Sequence, residues 1–243
     1  MPIQYRIGHG PSRSVSPLWG CLPMFLVLVL MCLLPMFLYD TAKSAFMKLG
    51  LSPAGAAITV LGILFGSFIN IPIYRIEKDE LQPQWNFGPL TLELEQTYRR
   101  VQSSTVIAIN IGGGVIPIAL AVVQFLRLAK EGNEVVVPAL IVTVMSIFVC
   151  WRVARPVEGI GILIPGFIPP LVSVLATWLL LWSEDSADRA ACAFLAGVAG
   201  PVIGADLLHL RTILRTPVAM MSIGGAGTFD GIVLSGILAA LLA

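Results

Sequence analysis

Residues 217–243 read PVAMMSIGGAGTFDGIVLSGILAALLA, and across them Asp230 is the single charged side chain. A run this long and apolar has the length to cross a ~30 Å hydrocarbon core as a helix, which takes about 20 residues. Its middle argues against one continuous helix. Ser222-Ile223-Gly224-Gly225-Ala226-Gly227-Thr228-Phe229-Asp230-Gly231 places Gly224, Gly225 and Gly227 within four residues, and glycine is the costliest helix residue after proline. The pattern predicts a broken span in which Thr228 caps a new helix from Phe229 to Ala243, about 22 Å long at 1.5 Å per residue. Asp230 then sits in the first turn, where the helix dipole favours a carboxylate. Unwound backbone at that depth is tolerated where it lines a cavity or packs on protein. A straight helix packed through its glycines is the alternative. It accounts for the glycines and leaves Asp230 without a reason.

Working outward, six further apolar stretches appear at 19–38, 53–74, 105–126, 135–151, 159–182 and 190–210. Five of the seven carry no charge, and of the chain's 29 charged residues Asp206 and Asp230 alone fall inside a stretch. A bilayer imposes such sorting, because a central charge costs about 2.5–3.5 kcal/mol even on the gentlest scale. The whole chain of 243 residues is 57% apolar and 12% charged, about half the charged share of a soluble domain. The expected fold is therefore all-α, a polytopic membrane bundle of about seven transmembrane helices with the last one broken. Cys21, Cys32, Cys150 and Cys192 lie in apolar stretches without metal-ligand spacing, which predicts buried thiols and neither disulfides nor a metal site.

Basic residues give the orientation. With the N-terminus inside, Arg6, Arg13, Arg75, Lys78, Arg99, Arg100, Arg152, Arg155, Arg211 and Arg215 are cytoplasmic. Lys43, Lys48, Arg127, Lys130 and Arg189 are then on the far side. That asymmetry predicts a cytoplasmic tail at 1–18, one integral membrane domain over 19–243, and a C-terminus on the far side. The first apolar block exceeds a signal-peptide core and is expected to stay as a helix. The cytoplasmic loop 75–104 holds the turn Asn86-Phe87-Gly88-Pro89 and the alternation Leu90-Thr91-Leu92-Glu93-Leu94-Glu95, which predicts a small hairpin or interfacial flap. In the fifth stretch Pro165, Pro169 and Pro170 predict a kink or re-entrant entry. Arg155 and Glu158 have the spacing of an interfacial salt bridge.

Candidate chemistry gathers in the last two stretches. Asp206 and His209 share one helix face at i,i+3; they suit either an interfacial pair or a proton-carrying or ligand-binding pair facing a cavity. Asn70 and Asp206 are each followed five residues later by arginine, and after each arginine comes an Ile-Gly-Gly run, Ile111-Gly112-Gly113 and Ile223-Gly224-Gly225. A parallel internal repeat is one reading and chance likeness of Gly-rich spans the other. The repeat would bring Asn70, Asn110, Asp206 and Asp230 around one axis; Gly224, Gly225, Gly227 and Thr228 are further candidate binding residues.

Taken together, Asn70-Ile71-Pro72, Asn110-Ile111-Gly112-Gly113, Ala154-Arg155-Pro156-Val157, Gly204-Ala205-Asp206 and Gly224 to Gly231 resemble the prokaryotic multi-pass membrane family catalogued as domain of unknown function 1614. The resemblance covers most of the chain after the first helix, and the last motif is its most specific piece. It implies a polytopic prokaryotic inner-membrane protein and assigns no activity.

With a net charge of +1 no basic field draws nucleic acid. The P-loop, HExxH and GxSxG motifs are absent from the sequence, and nothing calls for a cofactor. The partners expected are the bilayer and a small solute or cation, with oligomerisation open. Two functions compete. In a small transporter or channel component, Asp206 or Asp230 couples to a proton or cation. In an intramembrane aspartyl peptidase, the two share a proton. In straight helices their depths differ by about 12 Å, which separates a carboxylate dyad and puts transport ahead. A structural or assembly subunit is the third reading, so whether the protein is an enzyme stays open.

Overall fold

The computed structural model describes residues 17–87, 94–157, 161–213, 220–225 and 231–243. The chain forms two compact units, Met1–Thr41 and Ala42–Ala243. Helix α1 (Pro17–Lys48) begins in the first and ends in the second. Its segment from residue 24 to 37 exposes nearly every apolar side chain, as suits a helix whose solvent is lipid.

In the second unit helix starts are dictated locally. α2 (Pro53–Gly66) is capped by Ser52, whose Oγ accepts from the Gly55 N–H at 3.1 Å, with Pro53 at its first position. Proline at that position loses no hydrogen bond and is pre-set for the helix. After Ser67 the chain extends instead of continuing as a helix to residue 74. β1 (Asn70–Phe87) pairs antiparallel with β2 (Leu94–Asn110), from Asn70 opposite Asn110 to Phe87 opposite Leu94. The expected flap is thus a long hairpin that absorbs the end of one predicted span and the start of the next.

β2 runs straight into a π turn at Ile111–Val115 and then α3 (Ile116–Glu131). Gly132, at φ +111, separates α3 from α4 (Asn133–Val153). Arg155 precedes Pro156, which disfavours helical backbone, and the chain makes a small hairpin of β3 (Arg155–Val157) and β4 (Gly161–Leu163). α5 (Ile168–Leu180) starts at the Pro169-Pro170 pair, an interruption of the kind those prolines predict, and is shorter than the apolar stretch 159–182.

α6 (Ser186–Ala199) widens into a π segment at Gly200–Leu207 and closes as α7 (Leu208–Ile213). Pro201 stands at the start of the widening; it has no N–H and crowds the carbonyl four residues back, a cause of such bulges. Over 217–243, where the sequence predicts a broken span with a new helix from Phe229, the chain forms β5 (Met220–Ile223) and then α8 (Gly231–Leu242); the first half is a strand. β5 lies parallel beside β2, Val106 opposite Met220 through Ile109 opposite Ile223, giving the sheet order β1-β2-β5.

The protein is a helical membrane bundle. Four helical runs, Met24–Lys48, Ile111–Glu131, Asn133–Val153 and Ser186–Thr212, are long and apolar enough to cross a bilayer, and α2, α5 and α8 are shorter apolar helices. α6 is the centre. Residues 190–198 are buried in succession, among α3, α4, α5 and α8. Small residues allow this: a Cβ on Gly236 would lie 2.9 Å from both Phe194 and Val198, the close approach membrane helices use. Phe46 of α1 stands edge-on to Phe194, ring centroids 6.3 Å apart. Cys150 and Cys192 are buried as expected; Cys32 is exposed on α1.

At the end opposite the sheet, three side chains close α8. Lys48 Nζ donates to the Leu241 carbonyl at 2.7 Å, Trp178 Nε1 to Leu242 at 3.1 Å and Arg189 Nε to Ala243 at 3.3 Å. These satisfy carbonyls that a helix end leaves without partners.

Candidate functional site

The site is built where β2 turns into the π segment 111–115. Asn110 has extended backbone (φ −79, ψ 137) and is 1% exposed. Its Oδ1 accepts from the Gly113 N–H at 2.8 Å. Its Nδ2 donates to the Ser67 carbonyl at 2.7 Å and to Asn70 Oδ1 at 3.0 Å. One acceptor and two donors fix the amide's orientation. Ser222, from β5, donates its Oγ to the same Asn70 Oδ1 at 2.7 Å. One cluster therefore joins the end of α2, both hairpin strands, the π turn and β5.

The backbones beneath it touch. A Cβ on Gly113 would overlap the Gly224 carbonyl, and one on Gly112 would overlap the Ile63 carbonyl. Gly224 itself has φ +69, the left-handed region that glycine enters without cost to a side chain, and a Cβ there would meet the Gly113 carbonyl. The broken segments 111–115 and 220–225 thus sit backbone to backbone. Each leads from one of two parallel strands toward a helix, α3 or α8. Beside the cluster, a bulge between Pro72 and Tyr74 borders a cleft of about 420 Å³ lined by Pro72, Ile73, Tyr74, Arg75 and Val106.

The structure thus brings Asn70, Asn110, Gly224 and, next along the chain, Gly225 together. Asp206 is partly buried in the π segment 200–207, where a spacing read as α-helical no longer holds. His209 Nδ1 lies 3.2 Å from the Gly204 carbonyl and 3.0 Å from the Ala205 carbonyl, which ties the ring to its own helix's backbone. Gly227, Thr228 and Asp230 lie outside the described residues. Among the described residues no three His, Cys, Asp or Glu side chains are grouped to hold a metal.

Sequence reasoning missed Ser67 and undervalued Ser222. Both stand beside residues it did single out, Ser67 three positions before Asn70 and Ser222 two before Gly224. A second tight contact also escaped it. A Cβ on Gly200 would meet Ser146 Oγ, and one on Gly204 the Ile147 carbonyl, which seats the π segment directly on α4.

Helices of membrane-crossing length around a small-residue core define a polytopic helical membrane protein. The chain belongs to the family described as protein of unknown function (DUF1614), whose model matches residues 64–242, from within α2 through α8 and so across the whole Asn110 cluster. No curated protein and no solved structure matches it.

Proposed function

We propose that this protein is a small-solute or ion transporter component of a prokaryotic cytoplasmic membrane, with its N-terminus cytoplasmic and its C-terminus on the far side. The observation that carries the reading is the backbone contact of Gly113 with Gly224 between two interrupted segments. Transporters place substrate and coupling-ion sites at such discontinuous helices, where unwound carbonyls and half-helix ends act as ligands. Irregular backbone at this depth also has a reason to exist where it lines a path. Asn110 has spent its amide on the fold and is a positioning residue. Asn70, exposed beside the cleft at Pro72–Arg75, gives its Oδ1 to Asn110 and Ser222 and keeps its Nδ2 to donate to a solute. Asp230, which precedes α8 in sequence, and Asp206 supply titratable groups for coupling.

Purified protein in liposomes tests this, with entrapped indicators for protons, sodium, potassium and small anions. Imposed gradients should collapse faster than in protein-free vesicles. Asn70→Ala should slow the collapse at least about tenfold, as loss of one hydrogen-bonding ligand to a charged group does. Asp230→Asn should abolish it and Asp206→Asn should leave part. Vesicles as tight as protein-free ones to every ion would overturn the reading in favour of a peptidase or an assembly subunit.

A further inference from the structure

Three arginines lie on neighbouring elements at the sheet end of the bundle. Arg152 lies in the last turn of α4, Arg155 opens β3 and Arg211 is on α7. The elements are packed together: α4 runs along the π segment 200–207, with Gly204 against Cys150 and Trp151, and α7 sits on both β3 and β4. All three arginines are exposed, and none forms an ion pair among the described residues, where Arg127 and Asp188 pair at the opposite end. Against them stand two acids, Asp206 in the π segment and, in sequence, Glu158 between β3 and β4, which lies outside the described residues, so the three arginines outnumber the acids.

Two spans of membrane-crossing length, Asn133–Val153 and Ser186–Thr212, end at this patch. Trp151, 43% exposed and 5.9 Å from the Phe148 ring, stands at the same level of α4. Tryptophan at a span end marks the depth of the lipid headgroups. Guanidinium groups hold phosphate oxygens through paired N–H donors, and basic pockets between membrane helices take lipid head groups.

We propose that Arg152, Arg155 and Arg211 form a docking surface for the phosphate of an anionic phospholipid. Topology alone would scatter basic residues over the cytoplasmic loops; here the fold draws residues from both sides of α5 and α6 into one patch. The proposal is independent of transport, because binding is read without flux.

The test is native mass spectrometry of the full chain, released from detergent with phosphatidylglycerol or phosphatidylcholine. The wild type should retain phosphatidylglycerol in preference to phosphatidylcholine. Arg155→Gln and Arg211→Gln should each cut that preference about fivefold, and the double variant should erase it. Lys130→Gln, at the other end of the bundle, should leave it intact. Excess glycerol phosphate should not displace the lipid. Circular dichroism checks that the variants fold, and the single variants carry the test if the double one does not. Equal retention by the wild type and both single variants, no preference in the wild type, or displacement by glycerol phosphate would each overturn the proposal.

Discussion

The α-carbon of Gly113 faces the carbonyl of Gly224 with no room for a side chain between them, and Gly224 returns the contact from a left-handed conformation. The two lie 111 residues apart in sequence. Their contact joins the two interruptions into one structural unit.

Gly113→Ala should therefore destabilise the protein by about 1–3 kcal/mol, the usual cost of overpacking. The atom that must move is backbone, which gives less readily than a side-chain tip. Thermal unfolding in detergent measures this. Gly166→Ala is the control, since a Cβ there has no neighbour within 4 Å, and it should stay within about 0.5 kcal/mol of wild type.

The amide of Asn110 serves three partners from a buried position. Asn110→Ala should cost about 1–3 kcal/mol, because the Gly113 N–H and the Ser67 carbonyl lose their partner away from water. Ser222→Ala removes a bond from a half-buried side chain to the exposed Asn70 and should cost under about 1 kcal/mol. Chemical unfolding of the two variants side by side decides the order; equal losses would mean that Asn110 is not the hub.

Gly200 faces Ser146 Oγ and Cys150 Sγ on α4. Gly200→Ala should destabilise, and adding Ser146→Gly should restore part of the loss by vacating the colliding atom, though the bond from Ser146 Oγ to the Ala196 carbonyl at 2.9 Å goes with it. Contacting residues show coupling of about 0.5–3 kcal/mol. A double-mutant cycle read by unfolding should find at least the lower figure, and additive effects would place the clash elsewhere.

Arg189 reaches the carbonyls of Trp182, Glu184 and Ala243 and lies 4.6 Å from the centre of the Trp178 ring. Arg189→Gln should free the far end of α8. Amide hydrogen exchange over residues 239–243 should speed up about tenfold, as expected for loss of one charge-assisted bond. Exchange at the other end of the bundle, in β2 and β5, should not change.

The apolar lengths, the confinement of charge and the glycine-rich break at 224–227 are written in the sequence, because each depends on composition within a window no longer than one span. They predict seven apolar helices, and seven stand among the described residues, four of them of full crossing length. A turn signal and nearby alternation likewise announce a hairpin, since such signals are local; Asn86 and Phe87 of the expected turn belong to β1, and residues 88–93 lie outside the described residues. Composition could not tell that Asn70–Ile73, Thr105–Asn110 and Met220–Ile223 are strands. Short runs of isoleucine, valine and methionine read equally as buried helix or strand. A helix finds its hydrogen-bond partners four residues away, whereas the partners of β5 lie in β2, more than a hundred residues upstream. Tertiary pairing therefore decided the sheet. With the sheet it decided the meeting of Asn70, Asn110 and Ser222, because those side chains reach one another only when three distant strands lie side by side.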